Sequence, residues 1–337
     1  MKSLILPPLS VLYGAVTRTR LSLYRRGTFH SARLDRPVVS VGNITTGGTG
    51  KTPLVEWVGR AVAAEGKKVC ILTRGYGRDN PDQLVVVSDG NKVIATPSEG
   101  GDEPFLLATN LLGVAAVISS ADRVLAGNEA IRQFGTDCFV LDDGFQHLRL
   151  ERDLNIVTID ATNPWGGGHL LPYGRLREPL SGLSRADIIV ITRTDQAKNL
   201  DGIRNEIRRY AGEIPVFMSR MQTARITSLN DSSEVLVPPV AAFCAVGNPQ
   251  SFFNGIEHEC VFQKAFPDHH RYTQSEIDSL IEAARKAGAQ SLITTAKDAV
   301  KLHPLSFSLP CYVLEIEPRI ENEEELISRV RSIANQR

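Results

Sequence analysis

From Arg36 onward, short apolar runs alternate with stretches whose apolar residues recur at helical spacing. Strands are predicted at 37–44, 68–73, 114–119, 137–141, 155–160 and 187–192. One helix runs from the Gly-rich turn through Ala64 and another covers about 121–134. Residues 84–96 read as a hairpin turning at Asp89-Gly90, and 99–104 as a loop leading into a helix. A second series follows, with strands at 240–246, 260–265, 291–295 and 311–316 and helices near 249–256 and 274–287. Thr273 and Glu276 form a capping box that opens the last of these helices. Strands alternating with helices mean a mostly parallel sheet covered on both faces, the α/β class. After about Met221 a polar stretch, Asn230-Asp231-Ser232-Ser233, precedes Pro238-Pro239, and a crossing between lobes is expected there. The predicted organisation is an amphipathic segment over 1–30, a main domain over 31–222 and a smaller α/β lobe over 223–337.

The segment before Arg36 behaves differently. Its apolar run from Leu4 to Val16 is interrupted by Pro7 and Pro8 and falls short of the roughly 20 residues that a membrane-spanning helix needs. The arginines follow the run instead of preceding it, which argues against a signal peptide. Leu9, Leu12, Tyr13, Val16, Leu23 and Tyr24 recur at helical spacing with Arg18, Arg25 and Arg26 around them. A basic amphipathic helix of this kind suits an anionic membrane surface that it does not cross.

Charge sharpens this contrast. The 337 residues carry 38 Lys+Arg against 38 Asp+Glu, which argues against a surface built for nucleic acid. Residues 1–36, however, hold seven basic residues and one acid, Asp35, so a net +6 there is balanced by −6 in the remainder. Five scattered cysteines without a CxxC fit reduced thiols, and His258 with Cys260 reads as a surface histidine beside a buried cysteine.

The chemistry begins between the first strand and the first helix of the α/β series, in the run TTGGTGKT. Thr45, Thr46, Gly47, Gly48, Thr49, Gly50, Lys51 and Thr52 form a P-loop. Its glycines let backbone N–H groups turn toward phosphate oxygens, Lys51 reaches the β and γ phosphates, and the Thr52 hydroxyl faces Mg²⁺. Thr45 stands where the usual pattern has glycine, and Gly47, Gly48 and Gly50 make up for it. A P-loop requires a downstream strand ending in a metal-side aspartate, and FVLDD supplies Asp142 and Asp143. Neighbouring residues on a strand point opposite ways, so one of the two is the inner ligand, and which one stays open. His147 follows in a turn. Ile191-Thr-Arg-Thr-Asp195 resembles a base-reading signature with Arg193 in place of lysine, which leaves base contact open.

Three further polar clusters surround this frame: Arg74-Gly-Tyr-Gly-Arg78, Gly100-Gly-Asp-Glu-Pro104 and Pro267-Asp-His-His270. An acid and a histidine facing each other across a cleft are what a phosphotransferase needs to deprotonate an acceptor hydroxyl. Seven motifs, VGNITTGGTGKTPLVEW, RGYGR, GDEP, LDDGFQH, GRLREP, FPDHH and TTAKDAVKL, occur in this order, and together the chain resembles the tetraacyldisaccharide 4'-kinase family of lipid A biosynthesis. That resemblance implies a P-loop NTPase-type sheet with helices on both faces, a second smaller lobe and an N-terminal helix that touches the membrane. It implies transfer of the γ-phosphate of ATP to the 4'-hydroxyl of a tetraacylated glucosamine disaccharide 1-phosphate, at the cytoplasmic face of the bacterial inner membrane. By the same resemblance the catalytic acid falls on Asp102 and its partner on His269. Metal-side roles fall on Thr52, Asp142 or Asp143, and Glu178, while Arg74 suits the acceptor's 1-phosphate. The alternative is a nucleotide-switch or metallochaperone protein of the P-loop class; its signature has lysine before the Gly-Gly pair, where this chain has Thr46. A non-catalytic membrane adaptor would leave Asp102, Asp142 and His269 unexplained.

Overall fold

In the computed structural model, residues 2–229 and 235–336 are described. The polar stretch 230–233, expected to join two lobes, therefore lies outside the described residues. In chain order the elements are α1 (Lys2–Arg25), β1 (Val38–Asn43), α2 (Lys51–Ala63), β2 (Val69–Thr73), β3 (Val85–Ser88), α3 (Pro97–Gly100), α4 (Asp102–Asn110) and β4 (Ala115–Ser119). Next come α5 (Arg123–Phe134), β5 (Cys138–Asp142), β6 (Leu154–Asp160), β7 (Ile188–Thr192), α6 (Leu200–Ala211), β8 (Val216–Ser228), β9 (Val240–Cys244) and α7 (Pro249–Asn254). The chain closes with β10 (Cys260–Ala265), α8 (Gln274–Lys286), β11 (Ser291–Thr295), α9 (Ala296–Leu302), β12 (Cys311–Ile320) and α10 (Glu323–Ala334).

The strands join in one 12-stranded sheet in the order β10-β9-β11-β12-β8-β7-β6-β1-β5-β2-β4-β3. Every pairing is parallel except β3 with β4 and β8 with β12. All six residues of β1 are buried because it lies at the centre with helices over both faces. Val39 and Val41 pack toward Leu54, Val55 and Val58 of α2, while Val38 packs on the opposite face with Ala126 and Ala130 of α5.

Three sequence expectations shift. The second arm of the 84–96 hairpin is reduced to a single antiparallel bridge, Ser88 with Val93, while β3 pairs on its other edge with β4. Asp102 and Glu103 open a helix and are not loop residues. Position 222 falls inside β8, which pairs with β7 through Val216–Met218 and then antiparallel with β12 from Ser219 to Ser228. Helices α6, α9 and α10 add to the predicted elements. The capping box at Thr273 and Glu276 is formed as expected.

Helix α1 lies against the body along one face. Ser10 Oγ donates to the Leu170 carbonyl at 2.8 Å, Tyr13 Oη donates to the Arg177 carbonyl at 2.8 Å, and Gly14 allows close approach to Leu170. The other face is apolar and open to solvent, with Val11 71%, Leu12 61% and Val16 60% exposed. No helix among the described residues is long and apolar enough to cross a membrane.

Candidate active site

The carboxyl ends of β1, β5, β6 and β7 bring the predicted residues to one large cleft. Gly50 enters α2 in the left-handed region at φ 80° and leaves the helix without a side-chain cap, so its first backbone N–H groups face outward for a ligand. The loop is braced from below. Asn43 Nδ2 donates to the Thr45 carbonyl at 2.7 Å and to Thr49 Oγ1 at 3.0 Å, and Thr192 Oγ1 donates to the Thr49 carbonyl at 2.9 Å. Arg175 accepts the Thr46 N–H on its carbonyl at 2.7 Å, so the segment Gly174–Pro179 runs alongside the loop.

Arg193 is one of these braces. Its Nη1 donates to the Gly48 carbonyl at 2.8 Å and to Asp160 Oδ2 at 2.6 Å, and both side chains are nearly buried. The guanidinium thus ties the P-loop to Asp160 at the end of β6. Asn248 Nδ2 also reaches Asp160 Oδ2, at 3.2 Å, and Gly247 lies so close to Gly47 and Gly48 that a Cβ there would meet the Gly48 nitrogen at 2.7 Å. The loop after β9 thus touches the P-loop directly.

Asp142 and Asp143 differ sharply. The Asp143 carboxylate faces Lys51 Nζ at 3.5 Å and Arg177 Nη1 at 2.7 Å. Burial opposes its ionisation, but these two cations outweigh burial and hold its pKa down at about 2. Asp142 is buried to 4% exposure, accepts from Thr73 Oγ1 at 3.1 Å, and is pushed up to about 7, first by burial and then by the charges of Glu103 and Asp143. Glu178 is 1% exposed and does not line the cleft; its carboxylate is taken by Arg185 and by Gln146 Nε2. Gln146 also donates to the Asn43 carbonyl at 2.8 Å, so Glu178 touches the site only through that amide.

Asp102 opens α4 next to Glu103 and Pro104, which line the cleft, and His269 approaches it from the cleft with Nδ1 at 4.0 Å from Asp102 Oδ2. Burial works against ionisation of Asp102, but His269, Lys301 and Lys297 together hold its carboxyl below its ordinary value. His269 sits in the left-handed region at φ 61°. His270, its neighbour, points away to Glu276 Oε1 at 3.1 Å and stacks on Phe266. Arg74 lines the cleft with its guanidinium 5.1 Å from the Tyr76 ring centroid, and the buried Arg123 lies on the same wall. His147 also lines the cleft; burial and the charges of Arg123 and Arg152 push it down to about 4, so it is neutral.

A P-loop and an aspartate pair lining one cleft, with an Asp–His pair at its edge, describe a phosphotransferase. The family model for tetraacyldisaccharide-1-P 4'-kinase matches residues 2–335. The chain belongs to the tetraacyldisaccharide 4'-kinase family. The relative from Geobacter sulfurreducens is 42% identical over 323 residues, covering 92% of this chain and 88% of the relative. That from Syntrophus aciditrophicus is 38% identical over 339 residues, covering 96% and 90%. Among solved structures, the LpxK of Aquifex aeolicus in complex with ATP is 32% identical, covers 99% of each chain and superposes with a TM-score of 0.74. As a member of the tetraacyldisaccharide 4'-kinase family, the chain is an ATP-dependent kinase of lipid A synthesis, not a switch protein or metallochaperone.

Several residues that build this kinase site escaped sequence reasoning: Asp160, Arg175, Arg177, Gly247, Asn248 and Lys297. Asn248 carried a local signal, since Asn before Pro249 is a helix N-cap pattern, and its Oδ1 accepts from Ser251 N–H. Arg177 and Lys297 lay inside GRLREP and TTAKDAVKL, but nothing in either motif indicates which partner it meets.

Proposed function

We propose that this kinase holds ATP on Thr45–Thr52 and transfers the γ-phosphate in line to the 4'-hydroxyl of the tetraacylated disaccharide 1-phosphate. Asp102 takes the hydroxyl proton, assisted by His269. The hydroxyl oxygen bonds to the γ-phosphorus as the bond to the β–γ bridging oxygen breaks, and that electron pair leaves with ADP. The supporting observation is the 4.0 Å approach to Asp102 of His269 Nδ1, whose ring lines the same cleft as Lys51 and the P-loop. Lys51 and the backbone N–H groups at the start of α2 stabilise the negative charge on the phosphate oxygens.

The donor set fits Mg²⁺. No group of three or more metal-ligating side chains occurs among the described residues, but Mg²⁺ beside a nucleotide needs only one or two carboxylates together with phosphate oxygens. Asp142 is a buried carboxylate that forms no ion pair with Lys or Arg among the described residues, while Asp143 already faces two cations. Thr52 and Asp142, with Asp143 behind them, would hold the ion, which when bound neutralises charge on the β and γ phosphates. Glu178 holds Gln146 and Arg185 in place instead of serving as a ligand.

Arg74, beside Tyr76 and Arg123, would receive the acceptor's anionic 1-phosphate. The exposed Val11, Leu12 and Val16 of α1, with the arginines of residues 18–26, support a peripheral seat on the cytoplasmic face of the inner membrane. Tyr13 and Arg20 of the same helix line the cleft, so a lipid lying on α1 would have its headgroup near the site. Residues 31–222 and 223–337 would act as two lobes that close around both substrates, joined through the β8–β12 ribbon.

Labelled ATP with a panel of glycolipid acceptors tests this reading. Asp102→Ala and His269→Ala should each lose ~10² or more in turnover, the scale of a positioned general base. Turnover at the level of the unsubstituted enzyme in either variant would remove the pair from the mechanism.

A further inference from the structure

We propose that Lys297 is the positioning residue of the Asp102–His269 pair: its ammonium donates to His269 Nε2 and so holds the imidazole with its proton on Nδ1, facing Asp102. This inference rests on the proposed general-base role of that pair.

The geometry leaves the ammonium little freedom. Lys297 Nζ lies 3.2 Å from His269 Nε2, 3.1 Å from Asp268 Oδ1 and 3.0 Å from Glu103 Oε1. Three N–H donors therefore meet three acceptors on two elements, and the lysine comes from a third. Glu103 follows Asp102 on α4, Asp268 precedes His269 in the loop after β10, and Lys297 itself lies in the first turn of α9. The lysine side chain is only 18% exposed, and both neighbouring carboxylates favour its charged form.

An ammonium can donate but not accept, so Nε2 must offer its lone pair and the ring proton must sit on Nδ1. Nδ1 is the nitrogen nearer Asp102, at 4.0 Å from Oδ2. The proton thus points at the carboxylate and leaves its other oxygen for the acceptor hydroxyl. His269 occupies the left-handed region at φ 61°, and Asp268 Oδ1 accepts its backbone N–H at 3.1 Å, so Asp268 ties both the backbone of His269 and its lysine partner. The charged groups around the pair are Glu103 of α4, Asp268 of the loop, and Lys297 and Lys301 of α9. With the two lysines on that side, ionisation of Asp102 is favoured.

Lys297→Met, Lys297→Gln and Lys297→Arg in the full chain test the inference, assayed with ATP, Mg²⁺ and the tetraacyl disaccharide 1-phosphate in detergent micelles. Lys297→Met should lower kcat roughly 10- to 100-fold, the usual cost of losing a partner that orients a functional histidine, with both KM values little changed. The acid limb of its pH profile should move to higher pH, because Asp102 loses a neighbouring positive charge. In protein labelled with ¹⁵N-histidine, the His269 signal should change from the Nδ1–H form toward a mixture of tautomers. Lys297→Arg should recover much of the rate. Lys297→Gln can still donate to Nε2, so it should keep the tautomer while its acid limb moves, and it carries the test if the methionine variant does not fold. An unchanged kcat, or a loss equal at every pH with the tautomer intact, would overturn the proposal and leave Lys297 a staple between α4 and α9. Asp102→Asn and His269→Gln run alongside: if both retain full turnover, the general-base reading fails and the role of Lys297 fails with it. If both lose turnover while Lys297→Met does not, only the role of Lys297 falls.

Discussion

Arg193→Met separates two accounts of one residue. Read as part of a base-contact signature, Arg193 would govern the choice between ATP and GTP and contribute little to folding. In the structure it is 7% exposed and joins Asp160, itself 6% exposed, to the Gly48 carbonyl of the P-loop. Removing one member of a buried ion pair commonly costs about 3–5 kcal/mol, because the other charge is left without compensation. Asp160 would keep three other donors: the Thr162 N–H at 3.0 Å, the Thr162 hydroxyl at 2.8 Å and Asn248 Nδ2 at 3.2 Å. The low end of that range, about 3 kcal/mol, is therefore expected. With an unfolding entropy of about 2.1 cal/mol/K per residue over 337 residues, this lowers the melting temperature by about 4 °C. KM for ATP should rise as well, since the Gly48 carbonyl loses its anchor, while the ratio of ATP to GTP use stays constant. Asp160→Asn in the same background should restore part of the lost stability, and the double-mutant cycle should yield a coupling of about 2 kcal/mol. Unchanged melting together with an altered nucleotide preference would refute the account.

Other outcomes follow from the same geometry. Lys51→Ala should abolish turnover with any acceptor, measured as ADP release. Replacing Leu12 and Val16 of α1 with aspartate should raise KM for the lipid acceptor and leave KM for ATP unchanged; equal effects on both would remove α1 from lipid binding. Glu56, facing Asn110 Nδ2 at 2.9 Å, is pushed up to about 7 chiefly by burial. The folded chain therefore holds a proton that the unfolded chain releases near pH 4.5, so stability falls as pH rises from about 4.5 through 7. Glu56→Gln should then be more stable than the parent at pH 8 but not at pH 4, read by urea melts at the two values. Glu178→Gln should weaken the hold on Arg185 and Gln146 without changing the Mg²⁺ dependence of the rate; a steep increase in the Mg²⁺ requirement would return Glu178 to the metal.

Much of the site was legible in sequence where chemistry is local. A P-loop is contiguous: β1, the glycine turn and the start of α2 follow one another, so the residue types at 45–52 already state what their backbone can bind. Capping at Thr273 and the aspartates at the end of β5 are likewise decided within a few residues. Of the hairpin at 84–96 the turn and one bridge form, but local alternation does not reveal that β3 takes β4, some thirty residues downstream, as its ladder partner.

Pairings between distant residues were decided only by the tertiary structure. Arg193 meets a carbonyl 145 positions away, and Lys297 meets a histidine 28 positions away. Charge alone allows each of them many partners, and the sheet order brings one within reach. The same holds for Glu178, a carboxylate that its family motif assigns to metal and that the fold turns inward onto Arg185. The sequence by itself determined the class of chemistry, the α/β architecture and the contrast between a basic arm and an acidic body, because these depend on residue type and short-range order. Only the tertiary structure decided which charges neutralise one another and which face the cleft, because that depends on distances in space that chain position does not encode.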